Sequence, residues 1–356
     1  MKLSLFSTLR GYRKEYLPKD IFSGIIIAAV SIPISMGYAQ ISGIPAVYGL
    51  YGSVLPILLF ALFSTSRQFI FGVDAAPAAI VGGALSTLGI AAESEAAMDY
   101  VPAIALFAGL WLFIFFLLHA DKIVDFISTP VMGGFISGIA VTIILMQIPK
   151  LMGSPAGSGE LLELAEHIFA AAKNISWLSL FMGLGALVLI RTFKKLAPKF
   201  PMAIVIMALG VLSTIIFHVD EKGVVLLQSV ERGLPSLVIP DFGNVDLTQA
   251  AGRGLMVAVV IMAETLLAEN TFAFRNDYKL NDRQEILACA AGNIAAAAVG
   301  CCPVNGSISR TSLNEQYGGK SQAVSITAGI TMALILLFGT GFIGYLLLAY
   351  YLTKYP

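Results

Sequence analysis

The sequence predicts an all-α membrane protein with many spans, and three observations lead to this prediction. Of its 356 residues, 57% are hydrophobic and only 12% are charged, against roughly 25% charged residues in a soluble domain. Apolar stretches of roughly 17 to 25 residues, the length that crosses a bilayer, recur along the chain. Two further segments are rich in glycine and interrupted, and each is too short or too polar to span alone. We therefore expect complete spans together with two half-helices.

Nine apolar stretches are predicted to be complete spans. The two interrupted segments lie near residues 75–91 and 305–318, and each is predicted to complete its passage with the extended residues before it. The prediction is therefore eleven crossings. The nine stretches lie at residues 21–40, 46–64, 101–119, 123–148, 176–191, 201–218, 254–270, 284–300 and 322–347.

The basic residues predict the orientation, because cytoplasmic loops are enriched in Lys and Arg. With the N-terminus inside, fifteen bases fall on the cytoplasmic side and six outside, and Arg310 is left within the second half-helix. We expect a multi-pass protein of the cell membrane, an inner membrane, with a cytoplasmic N-terminus. Eleven crossings place Pro356 outside, which predicts a C-terminally truncated piece of a longer protein.

Composition excludes several other classes of function. A net charge of zero argues against nucleic acid as a partner, because a phosphate-binding face needs a basic excess. Three cysteines are too few for a disulfide framework, and the three histidines have no partner at metal-ligand spacing. Neither a Ser and His pair nor an Asp pair lies at mid-membrane positions, so we expect no enzyme, no cofactor and no metal.

Each interrupted segment begins with residues suited to start a helix after an extended run. In the first, Asp74 or Ala75 is predicted to cap the half-helix, with Pro77 at an early helical position. In the second, Asn305 is the predicted N-cap. An ungapped offset of 230 residues aligns the two starts, which predicts an inverted repeat whose discontinuous helices meet near the bilayer midplane. The offset pairs Ala75 with Asn305, Gly24 with Gly254 and Ala28 with Ala258.

Two half-helix starts that face each other predict an anion site. Free backbone N–H groups and the positive end of the helix dipole attract an anion without any charged side chain. Arg310 adds a positive charge, and an arginine in a membrane half-helix is costly unless it has a function. For the two serines, helix packing or hydrogen bonding back to carbonyls is an alternative role. The candidate anion-binding residues are Ala75, Ala76, Pro77, Asn305, Gly306, Ser307, Ser309 and Arg310.

Glu264 is the deepest acidic residue of the sequence, about 15 Å into its span by helical rise. Burial favours the neutral form of a carboxyl group, which makes Glu264 the candidate for proton coupling. The alternative is a structural partner for Arg310 or for a hydroxyl such as Thr265. In the first span, Pro33 predicts a kink, and Tyr38 lies close to it as a candidate site-lining residue. A kink without a ligand is the alternative there.

These residues lie in stretches that resemble the SulP family, the sulfate permease and solute-carrier anion transporters, of bacterial type. The resemblance runs from Leu17 to about Leu348. Its most specific elements are Gly43-Ile-Pro45-Ala-Val-Tyr48-Gly49-Leu50-Tyr51 and Pro303-Val-Asn-Gly306-Ser-Ile-Ser309-Arg310-Thr311. Further matching stretches lie at residues 33–39, 64–77, 263–265, 281–287 and 292–293.

The resemblance implies an inverted-repeat (7+7) transporter fold of fourteen segments, about eleven of them present, with each half-helix preceded by a short strand. It implies a core domain that moves like an elevator against a gate domain. The expected parts are a cytoplasmic N-terminus at 1–20, the first half of the core at 21–120, the gate at 121–220, an extracellular loop at 221–253 and the second half of the core at 254–350. The remaining gate segments and a STAS domain would lie beyond the chain.

The resemblance also implies roles for single residues. Ser309 and Arg310 match the anion-contacting pair, Tyr38 matches the aromatic position of span 1, and Glu264 matches the acidic position that accompanies proton coupling. Sodium-coupled bicarbonate members commonly have Asp there, so a proton is expected rather than sodium. Ile34 stands where many members have Gln, which leaves the anion open among sulfate, a dicarboxylate and bicarbonate.

The expected function is therefore secondary active transport of a small inorganic or carboxylate anion, coupled to protons by symport. Two alternatives stay open: a nucleobase or ascorbate transporter of the same architecture, and an uncoupled anion exchanger or channel. The expected partners are the anion, a proton and the lipid bilayer, with a homodimer left open.

Overall fold

The architecture is that of a computed structural model of the chain. The structure describes residues 4–124, 129–154, 161–196, 202–219 and 240–345, and the residues 221–222, 224, 226, 230 and 232–238 between them. Parts of the predicted spans 123–148, 201–218 and 322–347 and of the predicted loop 221–253 lie outside the described residues, as does Pro356.

The first part of the chain forms five helices and one strand. Short 3-10 turns at Ser7–Leu9 and Lys14–Tyr16 precede α1, and Pro18 occupies its first turn, where the missing N–H costs nothing. The elements are α1 (Leu17–Ile41), α2 (Ala46–Tyr51), α3 (Leu55–Phe63), β1 (Phe71–Val73), α4 (Ala75–Thr87) and α5 (Glu95–Leu118).

The middle of the chain is helical, and the last part repeats the order of the first. The middle elements are α6 (Asp121–Val124), α7 (Thr129–Leu151), α8 (Leu161–Lys173), α9 (Trp177–Leu196) and α10 (Met202–Phe217). The last elements are α11 (Leu247–Arg275), α12 (Asp282–Ala298), β2 (Val304–Gly306), α13 (Ile308–Tyr317) and α14 (Ala323–Leu334), followed by a π-helical turn at Ile335–Gly339 and a 3-10 segment at Thr340–Tyr345.

Four helical segments among the described residues are long and apolar enough to cross a membrane. They are Lys14–Ile41, Ala46–Phe63, Glu95–Leu118 and Leu247–Arg275, and a fifth crossing is added if the bent pair α8 and α9, at 116°, is one span. Helices α4, α10 and α14 are apolar but shorter. The chain is therefore built as a multi-pass membrane protein.

The contacts divide the chain into two compact units. The first consists of residues 1–137 and 234–333, and the second of residues 138–233 and 334–356. In the first unit, α12 packs against α5 and α3, α11 packs against α5, and α1 packs against α2, α4, α13 and β1. In the second unit, α10 packs against α9 and against the 3-10 segment Thr340–Tyr345. All residues of the predicted site belong to the first unit.

The two strands join the two half-helices. β1 and β2 form an antiparallel two-stranded sheet in which Phe71 pairs with Gly306, Gly72 with Asn305 and Val73 with Val304. Each strand is buried and leads directly into its half-helix, α4 or α13. This is the predicted arrangement of strand and half-helix in both halves.

The repeat is present, but the ungapped offset is wrong at the half-helices. Leu17 and Leu247, which begin α1 and α11, are 230 positions apart, whereas Ala75 and Ile308, which begin α4 and α13, are 233 apart. The second half thus contains three more residues between the start of its leading helix and the start of its half-helix. Ala75 therefore corresponds to Ile308 and not to Asn305.

The helices that lead the two repeats, α1 and α11, pack against α14 and α5, so each contacts a helix of the other half. A Cβ at Gly24 of α1 would lie 2.6 Å from the side chain of Thr327 of α14, and one at Gly254 of α11 would lie 2.6 Å from that of Phe107 of α5. Both glycines are required by close approach, and they are equivalent under the 230-residue offset. The core of the first unit is therefore shared between the two halves.

Several predicted boundaries are corrected by the structure. The predicted span 46–64 is two helices, α2 and α3, interrupted at residues 52–54. The predicted span 254–270 begins earlier, at Leu247, because Asp246 caps α11 by accepting hydrogen bonds from the N–H groups of Thr248 and Gln249. The predicted span 21–40 begins earlier, since α1 runs from Leu17 to Ile41 with Pro33 inside it. Helix α8 was not predicted, because its pattern is amphipathic and not uniformly apolar.

Candidate functional site

The extended backbone before the first half-helix is hydrogen-bonded by polar side chains from the second half of the chain. Gln322 donates to the carbonyls of Ser66 and Phe69 at 2.8 and 2.9 Å. Asn314 donates to the carbonyl of Gln68 at 2.7 Å, and the hydroxyl of Thr311 accepts from the N–H of Ile70 at 3.0 Å. Non-helical backbone is tolerated at membrane depth only when protein groups satisfy it. These side chains therefore make the strand β1 stable where it lies.

The backbone of the second strand, β2, is also hydrogen-bonded by polar side chains, which here come from the same half of the chain. Asn293 of α12 donates to the carbonyl of Val304 at 3.1 Å and accepts from its N–H at 2.9 Å. The hydroxyl of Thr265 in α11 accepts from the N–H of Gly306 at 3.3 Å and donates to the side-chain oxygen of Asn305 at 2.7 Å. The role of Asn293 was not predicted, since its partner depends on how α12 packs.

The first half-helix is capped by Asp74, as predicted. Its carboxylate accepts from the N–H of Ala75 at 2.7 Å, and Pro77 is the third residue of the helix. Ala76 and Pro77 are buried, whereas Asp74 and Ala75 are partly exposed. The start of α4 thus presents small side chains beside a partly exposed carboxylate.

Arg310 joins the second half-helix to the start of the first. One guanidinium nitrogen, Nη2, donates to the carbonyl of Val73 at 2.8 Å and lies 3.3 Å from Oδ2 of Asp74. The arginine side chain is 2% exposed. A Cβ at Gly72 would lie 3.0 Å from its Nη1, so the glycine provides the room that the guanidinium occupies. The buried Nε has no hydrogen-bond partner among the described residues.

The predicted N-cap of the second half-helix, Asn305, is wrong. Asn305 lies in strand β2, and α13 begins at Ile308 with Ser307 in the N-cap position. The hydroxyl of Ser307 makes no capping hydrogen bond and lies 3.4 Å from the hydroxyl of Ser309. Ile308 and Ser309 are exposed. The first N–H groups of α13 are therefore not occupied by an N-cap side chain.

Glu264 is held by the asparagine that the sequence assigned to the cap. The side-chain nitrogen of Asn305 donates to Oε2 of Glu264 at 2.6 Å. The structural partner of Glu264 is thus Asn305, neither Arg310 nor Thr265, although Thr265 orients the same asparagine. Asp74 is close enough to interact electrostatically with Glu264. Two carboxyl groups and one guanidinium therefore lie close to the paired strands that precede the two half-helices.

The remaining predicted residues have simpler surroundings. Tyr38 is 8% exposed near the end of α1, the helix that packs against α4, α13 and β1. Gly306 lies in β2 against the ring of Phe69. Among the described residues, His, Cys, Asp and Glu side chains form no group able to hold a metal ion, and the three cysteines are buried and unbridged.

Both the sequence and the fold are similar to those of known proteins. Residues 17–350 match the sulfate permease family. The chain belongs to that family. A curated relative named low affinity sulfate transporter 3, from Stylosanthes hamata, is 30% identical over 93% of the chain, and sulfate transporter 4.1 of Arabidopsis thaliana is 29% identical over 96%. A probable sulfate transporter of Mycobacterium tuberculosis is 26% identical over 93%.

The sulfate permease match covers nearly the whole chain but only part of these relatives. The chain spans 55%, 51% and 59% of their respective lengths. All three are named as transporters and none as an enzyme.

Two solved structures of this kind share the fold. The transmembrane domain of a cyanobacterium bicarbonate transporter, BicA, superposes with a TM-score of 0.83 at 20% identity and covers 96% of this chain and 87% of that one. The murine Solute Carrier 26 family member A9 anion transporter, in the inward-facing state, superposes with a TM-score of 0.84 at 18% identity, covering 97% and 60%. The fold is therefore the all-α, inverted-repeat transporter fold that the sequence predicts.

Proposed function

We propose that this chain carries the anion site of a secondary active transporter that couples uptake of a small anion, of the sulfate, dicarboxylate or bicarbonate class, to protons. The observation on which the proposal depends is the buried Arg310 beside two half-helix starts that a two-stranded sheet holds together. Family membership favours an anion over the nucleobase or ascorbate alternative.

The donors around Arg310 fit an oxyanion. The first turn of α13, which has no side-chain cap, offers backbone N–H groups at the positive end of its helix dipole, which attract an anion. At α4, where Asp74 accepts from the N–H of Ala75 and Pro77 has no N–H, the contribution is mainly that of the helix dipole. The Nε of Arg310 has no acceptor among the described residues, and the hydroxyls of Ser307 and Ser309 are additional donors. Ala75 and Ala76 keep the approach to the α4 backbone open.

The charges of the site provide a reason for proton coupling. Arg310 is already paired with Asp74, so an ionised Glu264 would make the site negative and would repel an incoming anion. Protonation of Glu264 removes that repulsion. The side-chain nitrogen of Asn305 still donates to the carboxyl oxygen of Glu264 that carries no proton. Anion binding and protonation of Glu264 therefore favour each other, which is the thermodynamic requirement for symport.

The surrounding mechanism rests on similarity to the family. We assign the core to residues 21–120 and 254–350 and the gate to residues 121–220, with elevator-type movement of the core carrying the site across the membrane. The N-terminus is cytoplasmic and the membrane is the cell membrane, consistent with the excess of basic residues on that side. Proton coupling rather than sodium coupling is proposed because position 264 is Glu.

Proton uptake on anion binding tests this function directly. The detergent-solubilised chain is titrated with sulfate, oxalate and bicarbonate in weak buffer, and the pH change is recorded. We expect close to one proton taken up per bound anion in the wild type at a pH where Glu264 is ionised, and none with Glu264→Gln. Glu315→Gln is the matched control, since Glu315 is a partly exposed acid of α13 that pairs with Arg275.

Equal proton uptake by the wild type and Glu264→Gln would refute the coupling role of Glu264. If no anion binds to a protein that is shown to be folded, the anion site itself is refuted. Uptake of the binding anion into proteoliposomes under a pH gradient, unchanged when sodium replaces potassium, then separates symport from an uncoupled exchanger. Currents far above carrier turnover would identify a channel instead.

A further inference from the structure

A basic cleft lies at the N-terminal end of α1, away from the two half-helix starts. Its volume is about 330 Å³, at the lower end of the range for small-molecule sites. Four bases line it, Arg10, Arg13, Arg67 and Lys320, and among the described residues no carboxylate does. The cleft therefore has a strong positive character that no part of the proposed transport mechanism uses.

The walls of the cleft are fixed to the core of the first unit. The hydroxyl of Ser7 donates to the carbonyl of Ser64 at 2.8 Å, and the N–H of Phe6 donates to the carbonyl of Leu62 at 2.8 Å. The guanidinium of Arg67 lies 5.5 Å from the ring centre of Tyr278, which orients it. A cleft with such walls is preformed rather than dependent on a ligand to order it.

Asp20, whose hydrogen-bond partners line the cleft, forms no ion pair with the bases of the cleft within the described residues. Asp20 is fully buried behind the cleft and accepts from the hydroxyls of Tyr12 and Ser321 at 2.9 and 2.7 Å and from the N–H of Lys320 at 2.7 Å. Its hydrogen-bonding capacity is taken up by neutral donors. Within the described part of the chain, Arg10, Arg13 and the ammonium of Lys320 form no ion pair.

The position of the cleft points to the depth of lipid headgroups. Along α1, the exposed apolar side chains begin at Leu17 and continue with Ile21, Phe22 and Ile25, all at least 40% exposed. Arg13 and Tyr16 immediately precede this band and line the cleft. The cleft therefore lies where the lipid-facing surface of α1 gives way to polar surface.

We propose that this cleft binds an anionic phosphate group, with the headgroup of an anionic phospholipid as its source. Guanidinium groups bind phosphate oxygens in pairs, and three of the four lining bases, Arg10, Arg13 and Arg67, are arginines. A lysine or arginine close to an anionic membrane surface strengthens binding roughly fivefold. This inference does not depend on the transport proposal.

Two triple variants with the same change in charge test the cleft. Arg10→Gln, Arg13→Gln and Lys320→Gln together remove three cleft charges and leave the stacked Arg67 intact. Lys14→Gln, Lys19→Gln and Lys279→Gln remove three exposed charges that do not line the cleft. All six side chains are exposed, so both variants are expected to fold, which thermal unfolding checks.

Binding is measured by native mass spectrometry with dioctanoyl phosphatidylglycerol, dioctanoyl phosphatidylcholine or inorganic phosphate. We expect the wild type to prefer phosphatidylglycerol, the cleft variant to bind it roughly 100-fold more weakly, and the control variant to change by less than about threefold. If inorganic phosphate binds to the wild type and not to the cleft variant, the result supports a phosphate site in the cleft and identifies a soluble phosphate compound as the source of the ligand. Equal binding by the two variants, or equal binding of the two lipids, overturns the proposal.

Discussion

Replacing Asp74 by Asn is expected to lower the free energy of unfolding and, at the same time, to raise the affinity for the anion. Asp74 is the counter-ion of Arg310, 3.3 Å from its Nη2. Asn is as good an N-cap as Asp, so the variant keeps the cap of α4 and loses only the charge. The guanidinium, 2% exposed, is then left with the carbonyl of Val73 as its acceptor.

The size of both effects follows from the burial of the pair. Removing one partner of a buried ion pair costs about 3 to 5 kcal/mol, and the 19% exposure of Asp74 lowers the expected loss of stability to about 2 kcal/mol. For an anion about 7 Å from Asp74 and an effective dielectric constant of about 20, the repulsion removed is roughly 2 kcal/mol. Affinity for a singly charged anion should therefore rise roughly thirtyfold, and affinity for the doubly charged sulfate should rise by more than that.

Thermal unfolding in detergent, with and without a series of sulfate concentrations, measures both quantities, because a ligand that binds only the folded state stabilises it. Asp246→Asn is the matched control, since Asp246 is also an aspartate N-cap, of α11, and forms no ion pair with a guanidinium among the described residues. The double variant Asp74→Asn with Arg310→Gln should recover part of the lost stability. A fall in sulfate affinity, or a double variant no more stable than the single one, would contradict the role of Asp74 as counter-ion.

Two further predictions follow. Gly72→Ala places a Cβ 3.0 Å from the Nη1 of Arg310 and should weaken sulfate binding at least tenfold. The control Gly83→Ala, whose Cβ meets nothing within 4 Å, should leave sulfate binding unchanged. Equal sulfate affinities of the two variants in the same titration would contradict the positioning of Arg310 by Gly72. Burial, with a hydrogen bond to Asp20, raises the pKa of Tyr12 to about 12, and burial raises the pKa of Tyr278 to about 12. Since the unfolded chain loses these phenol protons near pH 10 while the folded protein keeps them, stability should fall as the pH rises from 10 to 12, and replacing both tyrosines by Phe should flatten that part of the profile in chemical unfolding.

The start of the first half-helix was predictable because local chemistry determines it. Asp74 followed by two alanines and Pro77 has an N-cap, small residues and an early proline in sequence, and none of these requires knowledge of the fold. The depth of Glu264 and the isolation of Arg310 within an apolar segment were equally visible, since a charge in the membrane stands out from its neighbours.

Long-range pairing explains what the sequence could not predict. Asn305 has the ideal side chain for a cap, but strand pairing with Gly72 places it in β2, and its amide is used by Glu264 and Thr265. The pairing of Arg310 with Asp74 joins residues 236 positions apart. The shift of three residues in the repeat was hidden because only the leading helices obey the ungapped offset.

The pairing of β1 with β2 also has a consequence for biosynthesis. Residue 71 leaves the ribosome 235 residues before its partner Gly306, an interval on the order of 10 to 50 s at ordinary rates of translation. During that time the backbone of the first extended segment has neither its strand partner nor the side chains of Thr311, Asn314 and Gln322 that satisfy it. The first half therefore remains in the bilayer with unsatisfied backbone N–H and C=O groups until the second half has been synthesised. During that interval the insertion machinery or bound water has to hydrogen-bond to that segment.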